Sequence, residues 1–160
     1  MKKVAIVCAA GKQGTLLVNE AVSHGYDVTG FMRGQDKVAN PKAKTVVKDL
    51  FDLTREDLVG FDVVIDAFGA WTPETLPLHK TSLAHLCDIL SGTKVRLLVV
   101  GGAGSLYVNP EHTVQVKDLE SLSPKDKDFS SSLMKMRFSP FPPAELKRGT
   151  TVSSASSSVV

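Results

Sequence analysis

Val4-Ala5-Ile6-Val7-Cys8-Ala9-Ala10-Gly11-Lys12-Gln13-Gly14 decides the fold. A short apolar run without polar alternation reads as a strand buried on both faces, and the two glycines that follow mark a turn into a helix. Thr15 to Ser23 supplies that helix through Leu16, Leu17, Ala21 and Val22, with His24-Gly25 as a polar last turn and a left-handed stop.

The same alternation continues along the chain. Val28 to Met32 reads as a second strand and Thr45 to Lys48 as a third. Asp52 to Leu58 has the spacing of a short helix, with Asp52 as its N-cap. Phe61 to Ala67 makes a fourth strand, Leu76 to Leu90 a helix that Gly92 ends, and Val95 to Val100 a fifth strand before Gly101-Gly102. Strand and helix in alternation, joined by short turns, imply right-handed crossovers and a doubly wound parallel α/β sheet. In such a sheet ligands sit beyond the carboxyl ends of the strands, near the point where strand order reverses.

Composition sets the outer limits. The 160 residues are 42% hydrophobic and 22% charged, which suits one globular domain and excludes a collagen-like or wholly disordered chain. A net charge of +2 is too weak an imbalance to argue for nucleic acid or an anionic membrane, and no apolar stretch reaches the length of a membrane span. Cys8 and Cys87 fall in separate core elements and no export signal is visible, so a cytoplasmic protein with reduced thiols is expected. Residues 1–120 form the expected domain. Residues 121–160 hold 11 of the 15 serines and four of the eight prolines, and are expected to be an irregular tail, partly disordered, with a short helix near Phe129 to Phe138 and a loose final dozen residues.

Each strand end then carries a candidate. After the first strand, Gly11 and Gly14 are the last two glycines of a Gly-x-x-Gly-x-x-Gly fingerprint in which Cys8 takes the first place. Gly11 would admit a pyrophosphate, Gly14 would let helix and strand pack closely, and Lys12 adds a cation at a helix start rich in unpaired N–H groups. A tight strand-to-helix turn alone would use the same glycines. After the second strand, roughly 20 residues past the glycines, a carboxylate would favour NAD, whereas this chain has Arg33. A guanidinium can grip a 2′-phosphate with two hydrogen bonds, so NADP is expected over NAD; the plainer alternative is an exposed strand-end arginine.

After the third strand, Asp49 can face an adenine amino group with Leu50 and Phe51 against the ring. After the fourth, Ala67, Phe68 and Gly69 are small or flat enough for backbone to pass close to a cofactor, with Trp71 at the border. Asp62 and Asp66 share a strand face, a conceivable carboxylate pair, although a cap for Asp62 and a loop bond for Asp66 suit them better. After the fifth come Gly101 and Gly102 at the cofactor, then Ser105 and Tyr107, hydroxyls able to donate to negative charge developing on a substrate carbonyl. No Tyr-x-x-x-Lys pair exists to lower a tyrosine pKa, and no Cys/His spacing matches a metal site.

Val4 to Gly14, Val28 to Arg33, Asp62 to Ala70 and above all Leu98-Val99-Val100-Gly101-Gly102-Ala103-Gly104-Ser105-Leu106-Tyr107-Val108 resemble the NAD(P)H-binding, atypical short-chain dehydrogenase/reductase group, in its NADH-flavin reductase branch. The likeness covers roughly residues 1–118. It implies a Rossmann-like fold in which Gly11, Lys12, Gln13, Gly14 and Arg33 bind the cofactor phosphates and Ala67, Phe68 and Gly69 line the cofactor. It also implies hydride transfer to a flavin or quinone held by stacking, with little acid-base help. The expected partner is thus a small planar acceptor, with a homodimer as a possible assembly. Two departures stand out: Cys8 in place of the first glycine, and Ser/Pro-rich sequence after about Asp118 where family members continue into further strands and helices. The altered ending leaves a second reading open, an NADP-binding sensor or regulatory domain without catalysis.

Overall fold

In a computed structural model, residues 1–34, 40–102, 107–119 and 153–156 are described. The first strand, β1 (Lys3–Val7), pairs in parallel with β2 (Asp27–Met32) on one side and β4 (Val63–Asp66) on the other. Beyond β2 lies β3 (Lys44–Val47), and beyond β4 lies β5 (Arg96–Gly101), giving the order β3-β2-β1-β4-β5 with every pair parallel. The chain winds outward from β1 to β3, then crosses back to β4, so the order reverses between β1 and β4. That gap is where a doubly wound sheet offers a crevice.

Helix α1 (Lys12–Ser23) covers one face and α3 (Leu78–Leu90) the other. Period-two alternation in β1 divides the core accordingly. Val4 and Ile6 join Ala9, Val18, Val28 and Met32 on the α1 side. Ala5 and Val7 join Phe31, Leu53, Leu58, Leu86, Leu90 and Leu97 on the other.

The structure departs from the sequence expectations at three places. Helix α1 begins a turn earlier than Thr15, at Lys12, because its first turn faces the crevice and carries no apolar stripe to read. The single helix expected from Asp52 is instead a 3₁₀ turn (Leu50–Asp52) followed by α2 (Arg55–Leu58). Asp52 is therefore not a helix N-cap. Asp49 caps the first turn by accepting from Phe51 N–H at 2.9 Å, and Asp57 folds back to accept from Thr54 N–H at 2.7 Å at the start of α2. Of the final dozen residues expected to be loose, Ser153–Ser156 form a sixth strand, β6, parallel to β5. An edge strand presents unpaired N–H and C=O groups that any extended backbone satisfies, whatever its side chains. The expected helix near Phe129 to Phe138 lies outside the described residues.

Candidate nucleotide-binding site

Register brings the strand ends together. Ala9 N–H donates to the Phe31 carbonyl at 3.0 Å and Ala67 N–H to the Val7 carbonyl at 3.2 Å, so the turns leaving β1 and β4 start side by side. Cys8 is the pivot of the first turn. Its φ of 60° lies in the left-handed region that costs an L-residue about 1–2 kcal/mol. The position thus keeps the backbone shape that a glycine at the fingerprint's first place would adopt freely. The Cys8 carbonyl accepts from Gly11 N–H at 3.0 Å, and a Cβ built on Gly14 would sit 2.3 Å from that same oxygen and 2.7 Å from Ala9 Cα. Gly14 is thus required for α1 to lie this close to β1.

The start of α1 is open. Gly11 is its N-cap with no side-chain acceptor over the first N–H groups, and no acidic residue occupies the first turn. Those donors, with the positive end of the helix dipole, suit an anion. Gly11 and Lys12 are exposed there, Gln13 half-buried and Gly14 buried.

The second wall is residues 66–71. Asp66, buried at the end of β4, accepts from Phe68 N–H at 2.9 Å; burial raises its carboxyl pKa, an effect the Phe68 bond and nearby His79 oppose. His79 Nε2 lies 3.1 Å from Ala70 N and 3.0 Å from Ala70 O, and its ring meets Phe68 edge-on at 5.3 Å. Trp71, 71% exposed, lays its indole against Gly69, where a Cβ would meet Nε1 at 3.1 Å. Ala67 and Phe68 are half-buried and Gly69 exposed. His79 escaped the sequence reading as part of this site. The signal was its register with Leu83, Leu86 and Leu90 on the buried stripe of α3, where a polar ring needs a partner.

The third group is Arg33 and Asp49. The β2–β3 register sets Met32 beside Val47, and Arg33 Nε then comes within 3.9 Å of Asp49 Oδ2. The Leu50 side chain is 4% exposed and belongs to the core, so only its backbone is available to a ligand; Phe51 is exposed. Asp62 and Asp66 do not pair: Asp62 precedes β4 and accepts from Lys3 N–H at 2.7 Å, at the far end of the strand.

Gly101, the last residue of β5, and Gly102 after it are exposed, and Ser105 lies outside the described residues. Tyr107 is held in its own local hairpin, bridged to Gln115 and stacked on His112 with ring centroids 4.9 Å apart. Both thiols are free. Burial, with Asp66 adding to it, pushes Cys8 up to about 11, and burial also raises Cys87. Among the described residues no group of His, Cys, Asp and Glu is placed to hold a metal, and no helix is long and apolar enough to cross a membrane. A depression of about 390 Å³ lined by Arg55, Phe61, Asp62 and Lys94 lies at the opposite, amino ends of β4 and β5, and of the candidate residues it contains Asp62 alone.

Residues 8–130 match the profile of the NAD(P)H-binding family. The chain belongs to that family. Its NAD(P)H-binding character agrees with the open helix start and the Gly14 contact. A crystal structure of a putative NADH-flavin reductase from Streptococcus pneumoniae superposes with a TM-score of 0.79 at 36% identity, over 98% of this chain and 71% of that one. The Listeria monocytogenes protein Lmo0794 superposes at 0.59 with 28% identity, over 97% of this chain and 99% of that one. The uncharacterized protein YwnB of Bacillus subtilis is 42% identical over 117 residues, 72% of this chain, and the chain spans 54% of its length. These likenesses identify an NAD(P)H-binding protein of the atypical short-chain dehydrogenase/reductase kind, with a Rossmann-like fold.

Proposed function

We propose that the crevice between Cys8–Gly14 and Ala67–Gly69 holds a reduced nicotinamide dinucleotide, NADPH in preference to NADH, and that the protein reduces a small planar acceptor such as a flavin or quinone. The observation that carries the reading is the uncapped start of α1, set above a left-handed Cys8 and a contact only glycine permits at position 14, at the switch point of the sheet. When bound, the cofactor supplies a hydride to the acceptor.

The protein's own residues do the rest. The N–H groups of Lys12, Gln13 and Gly14 bind the pyrophosphate, with the Lys12 ammonium beside them. Arg33 takes the 2′-phosphate, and Asp49 and the Leu50 backbone meet the adenine edge. Ala67, Phe68 and Gly69, fixed from below by Asp66 and from α3 by His79, form a wall against which flat rings stack. Gly101 and Gly102 close the far side. Ser105 and Tyr107 donate hydrogen bonds to the acceptor carbonyl, and transfer between stacked rings needs no tyrosine of lowered pKa. The NADH-flavin reductase similarity from Streptococcus supports a flavin as acceptor.

The test is titration with NADPH and NADH, followed by rapid mixing of the NADPH complex with FMN or menadione. Acceptor-dependent loss of nicotinamide absorbance is the expected result. Binding without oxidation would support the sensor reading instead, equal affinity for both dinucleotides would remove the role of Arg33, and no binding would end both readings.

A further inference from the structure

We propose that His79 is a pH-sensitive positioning residue of the cofactor wall, acting through one ring nitrogen. Unprotonated, Nε2 accepts from Ala70 N–H and holds residues 67–70 ready for the dinucleotide. Protonated, Nε2 turns to the Ala70 carbonyl and loosens them. This rests on the dinucleotide reading above and deepens it with a regulation of the same site.

One atom stands between two opposite partners. Nε2 lies 3.1 Å from Ala70 N and 3.0 Å from Ala70 O, within reach of both. A ring nitrogen accepts when bare and donates when it carries a proton, so it serves one of the two at a time. Among the described residues Ala70 N–H has no other acceptor, and Ala70 is only 6% exposed. A proton on Nε2 therefore leaves that N–H without a partner where water does not readily replace it, and the chain between Gly69 and Trp71 must turn to relieve it. The Phe68 ring, edge-on to His79 at 5.3 Å, ties the same movement to the middle of the wall.

The charges about the ring act in opposite directions. His79 is the second residue of α3, where the positive end of the helix dipole disfavours an imidazolium and no acid in the first turn offsets it. Asp66, at the end of β4, favours the imidazolium when it is ionised. Lys80, next along α3, is exposed, as is Glu74 in the segment leading into the helix, which bonds to Thr72. Cys8 and Cys87, which share Asp66 as a neighbour, are kept as uncharged thiols by burial.

His79→Gln is the decisive variant, because a glutamine oxygen reaches about as far as Nε2, accepts from Ala70 N–H and takes no proton. Measurements at pH 7.5 and 5.5 bracket the range in which histidines ordinarily titrate. The first is exchange protection of the Ala70 amide by NMR, corrected for intrinsic pH dependence, and the second is NADPH affinity by ligand fluorescence without any acceptor. On acidification the parent should lose about tenfold in Ala70 protection, as expected for a buried N–H deprived of its acceptor, while the variant keeps its protection. The parent should also lose about tenfold more NADPH affinity than the variant, since titration of the ligand's own 2′-phosphate is common to both. A merely structural role for His79 would give no such difference in pH profile. Equal pH dependence of affinity in the two proteins, or unchanged Ala70 protection in the parent, refutes the switch, and binding at pH 7.5 then leaves the dinucleotide site standing. The parent's Ala70 protection decides the switch even if the variant does not fold. If the parent binds no NADPH at pH 7.5, the dinucleotide reading itself falls.

Discussion

Replacing Gly14 with alanine tests the architecture of the site most severely. The added Cβ would lie 2.3 Å from the Cys8 carbonyl oxygen, 2.7 Å from Ala9 Cα and 2.8 Å from Ala9 C, all backbone atoms that no rotamer change can move. Real Cβ contacts essentially never fall below 3.0 Å, so α1 and the Cys8 turn must part by about 0.7 Å in a close-packed layer. Overpacking of this kind costs about 1–3 kcal/mol, and the contact with rigid backbone argues for the upper end. Alanine recovers up to about 1 kcal/mol through better helix propensity, which leaves a net loss of roughly 2 kcal/mol. For a chain of this size the melting midpoint should fall by roughly 4–8 °C. The displaced first-turn N–H groups should also lower NADPH affinity at least about tenfold, since a shift near 1 Å is enough to spoil a positioned contact.

Gly25→Ala is the matched comparison. Gly25 has φ +78° with nothing within 4 Å, so it should cost about 1 kcal/mol through strain alone and leave NADPH affinity unchanged. Thermal melts and NADPH titrations of both variants decide the matter. A Gly14→Ala protein that melts within about 1 °C of the parent and binds NADPH equally well would refute the close packing and the phosphate site built on it.

Other expectations follow from the same geometry. Asp66 has a carboxyl pKa raised by burial, so its charged form destabilises the fold once pH exceeds the folded value, and that penalty is absent below the unfolded value near 3.8. Asp66→Asn keeps an acceptor for Phe68 N–H and should raise the melting midpoint at neutral pH, with the gain vanishing under acid; a gain that persists at low pH would contradict this. Asp57 is the reverse case, lowered chiefly by its bond from Lys48 Nζ at 2.5 Å. Its contribution is present above the unfolded value near 3.8 and lost as pH falls through the lower folded value, so Asp57→Asn should destabilise at pH 7 and converge with the parent in acid melts. Cys8, pushed up to about 11, should alkylate far more slowly at pH 8 than after unfolding, by mass spectrometry of the labelled peptide. His79→Leu frees the Ala70 peptide, and because the chain has one tryptophan, increased quenching of Trp71 emission by acrylamide should report the loosened wall.

The strands were legible because a parallel sheet buried on both faces needs continuous apolar runs, and Val4 to Val7, Val63 to Ile65 and Leu97 to Val100 supply them. Helix α3 announced itself through Leu83, Leu86 and Leu90. The start of α1 did not, because Lys12, Gln13 and Gly14 carry no apolar side chain from which a helical stripe could be read. The break between the 3₁₀ turn and α2 was hidden by two overlapping caps, Asp49 and Thr54–Asp57, either of which starts a helix on sequence grounds. Cys8 looked like a departure from the glycine fingerprint. Its left-handed backbone shows that the position keeps the shape of the motif while losing its residue, a distinction sequence alone does not carry. The Arg33–Asp49 contact was equally hidden, since it depends on the β2–β3 register rather than on spacing along the chain.

Hydrogen–deuterium exchange with and without saturating NADPH measures the central claim where it lives. The account predicts slowed exchange in peptides covering Cys8 to Gly14 and Ala67 to Ala70, with the cavity residues Gly92 to Val95 at the other end of the sheet unchanged. Protection confined to Gly92 to Val95, or exchange unaltered along the whole chain under NADPH, would contradict it.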